Sequence, residues 1–229
     1  MADDRARGRG AAGERPEPAV PSGVIAVVRA ATAAEARTIV HGLVRAAVPA
    51  IELTLTVPGA LTILAEAARA VSRPGSGTVL GAGTVLDRRA CEEAVAAGAR
   101  FVVSPVTDPP VLEQARRGGV PYVGGALTPT EVLASMRAGV DAVKLFPVGS
   151  VGGPAYLRAL REPLPGLRAV VSGGIGAGEV RDYVAAGAHA VCLGGALIDR
   201  AAASRGDVEV IATRARQALA QIREVPEPC

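Results

Sequence analysis

A chain of 229 residues that is 49% hydrophobic but only 2% aromatic can bury one large core, as one α/β barrel or as two small domains, and that core must be aliphatic. Its net charge of +3 comes from arginines scattered singly or in pairs among acids. With few rings for stacking, this excludes a nucleic-acid surface.

No run reaches about 18 apolar residues, so no membrane span is expected. The N-terminal stretch lacks the apolar centre of a signal peptide. Cys91, Cys192 and Cys229 are far apart, and His41 and His189 are isolated. They read as reduced thiols in a cytoplasmic protein with no metal site.

Residues 1–22 are low in complexity and carry Pro16, Pro18 and Pro21, which predicts a disordered tail. From residue 23 to 223 a rhythm sets in, and 224–229 form a second tail. Short apolar runs begin near Val24, Ala50, Val79, Phe101, Pro121, Ala142, Arg168 and His189. Helical stretches follow each: Ala33–Ala47, Pro58–Val71, Arg88–Ala97, Pro110–Arg117, Thr130–Ala138, Pro154–Arg161, Ala177–Ala186 and Val208–Ile222.

Thr32 with Glu35, Asp87 and Thr130 supply N-terminal caps. Gly98, Gly118, Gly139 and Gly187 stand where helix C-termini want glycine. Eight near-continuous apolar strands alternating with eight helices predict a parallel sheet buried on both faces. In about 200 residues its natural closure is a single-domain (β/α)8 TIM barrel. A doubly wound sheet would want a glycine-rich loop after its first strand, where this chain has Val27-Val28-Arg29-Ala30.

A barrel places its site at the C-terminal ends of the strands. Those ends carry Arg29, the row Glu52, Thr54 and Thr56, Gly81-Ala82-Gly83-Thr84, Ser104-Pro105, Gly124-Gly125, Lys144, Ser172-Gly173-Gly174 and Gly194-Gly195. Period-two alternation sends Leu53 and Leu55 toward the helices and Glu52 inward, and sends Val143 and Leu145 outward and Lys144 inward.

Lys144 is the single lysine among 25 basic residues. An arginine cannot give up its proton, whereas an amine buried among Val, Leu and Phe can, since desolvation disfavours its charge. Lys144 is thus a candidate nucleophile and Glu52 its candidate acid/base partner. A structural ion pair is the plainer alternative. Ser172, Gly173, Gly174, Gly194 and Gly195 at the last two strands form a candidate phosphate pocket built on backbone N–H groups.

Several segments resemble one family. They are Ala26-Val27-Val28-Arg29-Ala30, Ile51-Glu52-Leu53-Thr54-Leu55-Thr56-Val57-Pro58, Gly81-Ala82-Gly83-Thr84-Val85, Lys144-Leu145-Phe146-Pro147, Gly152-Gly153-Pro154 and Gly173-Gly174-Ile175. The family is that of 2-keto-3-deoxy-6-phosphogluconate (KDPG) aldolase and 4-hydroxy-2-oxoglutarate aldolase. The resemblance implies a metal-independent, cofactor-free class I aldolase, a homotrimer, acting on a small phosphorylated keto acid. It implies Lys144 as the Schiff-base residue and Glu52 as general acid/base. Arg29, Thr84 and Thr56 would hold the substrate carboxylate, and the late glycines its phosphate.

Where some members carry Arg this chain has Thr56, and where some carry Ser it has Ala196; the usual Pro-Thr before the glycine pair is Val171-Ser172. With Thr at 56, Arg29 is expected to supply the positive charge beside Lys144 and to help keep it unprotonated. A phosphate-binding barrel of another type, such as an epimerase or thiamin-phosphate synthase, shares the glycine pairs but needs no Schiff base. A non-catalytic trimeric scaffold on the same fold is the third reading.

Overall fold

The computed structural model describes residues 19–72 and 77–223. Residues 1–18 of the tail expected over 1–22, and the tail expected over 224–229 with Cys229, lie outside the described residues. Eight strands, β1 (Gly23–Val28), β2 (Ala50–Thr54), β3 (Val79–Gly83), β4 (Val102–Val103), β5 (Tyr122–Ala126), β6 (Ala142–Leu145), β7 (Ala169–Val171) and β8 (Ala190–Leu193), close in sequence order into a barrel. Every neighbouring pair is parallel, including β1 with β8. Single-residue offsets in this register would turn each inward row outward. Glu52 is aligned with Val27 on one side and Gly81 on the other, and Lys144 with Gly125 and Val170.

Alternation along these strands divides the core in two. Ile25, Ala50, Phe101, Val103, Val123, Ala142, Val170, Ala190 and Cys192 fill the inside. Phe101 is the one aromatic of that inner cluster. A β-carbon at Gly81 would stand 2.5 Å from its ring, so the glycine gives the ring its space. Val20 joins the same cluster at 5% exposure, and its carbonyl lies 3.2 Å from His189 Nε2. The sequence reading began the barrel at residue 23. The apolar Val20 extends it downward, because burying its side chain beneath β1 stabilises the fold more than leaving it in solvent.

The outer layer is the larger and holds the helices: α1 (Ala33–Arg45), α2 (Ala60–Val71), α3 (Arg88–Ala96), α4 (Pro109–Arg117), α5 (Pro129–Ala138), α6 (Gly153–Arg161), α7 (Val180–Ala185), α8 (Arg200–Arg205) and α9 (Val208–Arg223). Local chemistry sets their starts. Thr32 and Asp87 accept from the amides of Glu35 and Ala90, as their side chains predict. The α5 cap is Thr128 rather than Thr130: Pro129 fits the first helical position, and Glu131 reaches back to the Thr128 amide to complete a capping box. The helix expected from Ala177 starts as a 3-10 turn over Ala177–Glu179, and α7 follows it. The six-residue α8 was not anticipated. Its signal was Asp199, which caps the Ala202 amide at 2.8 Å.

Candidate active site

Lys144 and Glu52 meet inside the barrel. They come from β6 and β2, on opposite sides of the ring, and Lys144 Nζ donates to Glu52 Oε1 at 3.3 Å. The two side chains are 8% and 1% exposed. Around them lie aliphatic side chains, so the pair shares a low-dielectric space in which each charge feels the other strongly. The Phe146 ring centroid lies 5.7 Å from Nζ, close enough for a cation–π contribution. Gly83 clears the room for the carboxylate: a β-carbon there would sit 2.1 Å from Glu52 Oε1.

The charge state of Lys144 departs from the expectation of a neutral amine. Burial is the largest influence and pushes the ammonium toward losing its proton. The charge of Glu52, the Cys192 sulfur and the hydrogen bond to Glu52 push the other way, and together they hold the amine above the ordinary lysine range. Arg29 acts in the expected direction, but its influence is the smallest of the five. It is exposed at the rim, where it lines a cavity of about 170 Å³ with Glu35, Ile39, Arg200 and Ser204.

Thr84 follows β3 at the mouth of the barrel with φ of +57°. A β-branched residue in that region is strained by about 1–3 kcal/mol, and such strain gathers where a fold must aim a side chain. Thr54 is fully buried and its hydroxyl donates to the Val28 carbonyl at 3.0 Å. Thr56 is exposed beyond the end of β2 and donates to Thr54 Oγ1 at 3.2 Å. Glu52, Thr54 and Thr56 thus run outward from the buried pair toward the rim.

On the far side, Gly173 and Gly174 take φ of +94° and +75°, which only glycine adopts readily. Their turn is braced by Gly149, whose amide donates to the Gly173 carbonyl at 3.0 Å. Ser172, just past the end of β7, is buried at 7% exposure. Gly194 accepts from the Leu197 amide, and the exposed Gly195 carbonyl from Arg214 at 3.4 Å. The amide of Gly176 is taken by the Glu179 carboxylate at 2.7 Å. Among the described residues, no group of three or more His, Cys, Asp or Glu has the makings of a metal centre, and no helix is long and apolar enough to cross a membrane.

Two neighbours of the pair escaped the sequence reading. Gly83 had been placed on the rim only as part of a glycine-rich strand end, without its contact with Glu52. Cys192 had been weighed only for disulfide and metal spacing. Alternation from Ala190 along β8 was the available sign that it faces inward. Its Sγ lies 4.0 Å from Glu52 Oε2, and burial, then the Glu52 charge, push its thiol up to about 12.

The contact at Gly83 yields a direct test. Gly83→Ala is expected to lower turnover about a hundredfold, since displacing a catalytic group by an ångström has that scale of effect. Unchanged turnover would show that the carboxylate does not need this space.

The chain is similar to known proteins along most of its length. The family model described as "KDPG and KHG aldolase" matches residues 20–214. A 2-dehydro-3-deoxy-phosphogluconate aldolase from Treponema pallidum is 32% identical over 196 residues, 86% of this chain and 91% of its own. A probable 2-dehydro-3-deoxy-6-phosphogalactonate aldolase from Rhizobium meliloti is 35% identical, covering 84% of this chain and 89% of its own. The solved structure of a KDPG aldolase from Legionella pneumophila, with pyruvate held as a covalent carbinolamine, shares the fold with a TM-score of 0.76 at 24% identity, over 86% of this chain and 94% of its own. A barrel whose inner wall pairs one lysine with one glutamate, matched along nearly its whole length by that family's pattern, belongs to the KDPG and KHG aldolases.

Proposed function

We propose that this chain is a class I aldolase that cleaves KDPG to pyruvate and glyceraldehyde 3-phosphate, and 4-hydroxy-2-oxoglutarate to pyruvate and glyoxylate as a second substrate. The observation that carries the reading is the Lys144–Glu52 contact, an amine and a carboxylate facing each other in an aliphatic interior. Because the resting amine is held in its ammonium form, the first event is transfer of a proton from Nζ to Glu52 as the substrate displaces water.

The neutral amine then adds to the substrate ketone. The carbinolamine loses its hydroxyl as water, with the proton supplied by Glu52, and an iminium remains as the electron sink. Glu52, again a carboxylate, takes the proton of the hydroxyl on carbon 4. The bond between carbons 3 and 4 breaks, its electron pair enters the iminium to give an enamine, and the aldehyde leaves. Protonation of the enamine and hydrolysis release pyruvate and free Lys144.

Thr84, Thr56 and Arg29 at the rim hold the substrate carboxylate in this reading, and the backbone around Ser172, Gly173, Gly174, Gly194 and Gly195 holds the phosphate. The strained Thr84 backbone and the open φ angles of the glycine turn support these roles.

The protein acts in the cytoplasm as a homotrimer. In support, Leu86, Val106 and Phe146 on loops, and Val151 at the end of the 3-10 turn Val148–Val151, all past the C-terminal ends of the strands, are 54%, 51%, 38% and 37% exposed, an apolar rim suited to burial against copies of the chain. Light scattering should return three times the chain mass; a monomer at micromolar concentration would refute the trimer.

Incubation with pyruvate and borohydride tests the chemistry: the expected result is a covalent adduct on Lys144, and no mass increase there would overturn the reading. Among KDPG, its galactonate epimer and 4-hydroxy-2-oxoglutarate, KDPG is expected to give the highest kcat/KM for pyruvate release.

A further inference from the structure

We propose that Cys192 is a positioning residue for Glu52: its thiol holds one carboxylate oxygen, so that the other is the one that trades protons with Lys144 and the substrate. The inference rests on the aldolase reading above and adds a residue to its machinery.

The two oxygens of Glu52 point to different partners. Oε1 accepts from Lys144 Nζ at 3.3 Å, and Oε2 faces Cys192 Sγ at 4.0 Å, at the outer reach of a sulfur donor. Lys144 stands on β6 and Cys192 on β8. Between those strands, just past the end of β7, stands the buried Ser172. From β3 the carboxylate meets Gly83, which offers no side chain, and Val27 on β1 is its in-register neighbour. Arg29 reaches this group only through its field on Lys144, from the rim. Lys144, Glu52 and Cys192 therefore form a short polar row across the barrel interior, with Lys144 at its working end.

The chemistry requires an anchor of this kind. At rest, the ammonium of Lys144 orients the carboxylate. Once Nζ is bonded to carbon it has fewer protons to offer, while Glu52 must still face the hydroxyl on carbon 4. A donor that takes no part in the reaction keeps the carboxylate plane in place through that interval. The Cys192 thiol fits the task, because burial beside a carboxylate keeps its proton on sulfur throughout the neutral range, so it can donate and cannot compete as a base.

Three variants of the full chain separate this role from simple packing: Cys192→Ser keeps a donor, Cys192→Ala removes it and leaves space, and Cys192→Val fills the space with no polar atom. Relative to the wild type, the serine variant should keep kcat within about threefold, while the alanine and valine variants lose about tenfold or more with KM little changed, the scale expected for one hydrogen bond to a charged group. In the latter two, the acidic limb of the pH–rate profile should move to higher pH, since a donor that favours the charged carboxylate is gone.

If Cys192 only packs, the order reverses: valine works like the wild type and the buried serine is worst. That order, or an acidic limb that stays put in the alanine variant, overturns the proposal. Borohydride capture of pyruvate, run on each variant, shows that the barrel is folded and its lysine reactive. Failure of the wild type to capture pyruvate overturns the aldolase reading itself, an outcome distinct from a failure confined to Cys192.

Discussion

Lys144→Arg is expected to abolish cleavage while leaving the barrel folded. The guanidinium keeps a positive charge opposite Glu52, so the buried carboxylate is not stranded; an uncompensated charge there would cost about 3–5 kcal/mol. It cannot lose its proton, so it cannot attack a ketone. The loss should be on the order of the 10^6-fold seen when a catalytic nucleophile is removed. The readout is unusually clean because the chain has no other lysine: a borohydride-trapped adduct on any side-chain amine of the variant is impossible. Pyruvate release at more than a thousandth of the wild-type rate would refute the Schiff-base mechanism.

Glu52→Gln separates the two halves of the pair. The amide keeps the shape of the carboxylate but cannot take a proton, and cleavage should fall about 10^2- to 10^4-fold, the range for a general acid/base. The second effect has the opposite sign. In the native pair the charge of Glu52 is what raises Lys144 against its burial. With that charge gone, burial and Arg29 both push the amine down, so it is neutral at lower pH. Pyruvate capture by borohydride should therefore extend to lower pH in the variant than in the wild type.

Stability follows the same logic. A raised lysine contributes its stabilisation fully below the ordinary lysine value of about 10.4 and loses it as the pH climbs through the higher folded value. The glutamine variant has no such contribution to lose. Its stability deficit against the wild type should narrow at strongly alkaline pH, as measured by urea midpoints. A gap that widens there would contradict the pairing.

The sequence made the barrel legible because each unit repeats the same signals: an apolar run, a cap and a closing glycine. It also made Lys144 and Glu52 legible, since alternation fixes which way a strand residue faces. The exceptions have physical causes. Thr128 and Thr130 both precede a helical stretch, and only the match of Pro129 and Glu131 to the first turn selects between them. The protonation of Lys144 came out reversed because desolvation can be read from apolar neighbours in sequence, whereas the opposing attraction depends on a 3.3 Å distance across 92 residues of chain. Cys192 and Gly83 were visible as residues, but their contacts with one carboxylate exist only once the ring is closed.

Val20 and Phe101 at the lower end of the interior give the barrel a floor, and a floor dictates traffic. On the aldolase reading, this closed end leaves the mouth at the C-terminal ends of the strands as the way in and out for the substrate of Lys144. On that reading the piece bonded to Lys144 leaves last, after hydrolysis, and the aldehyde leaves first. In the reverse direction the same reading has the keto acid load before the aldehyde, because the aldehyde meets its partner only after that partner is bonded to Lys144.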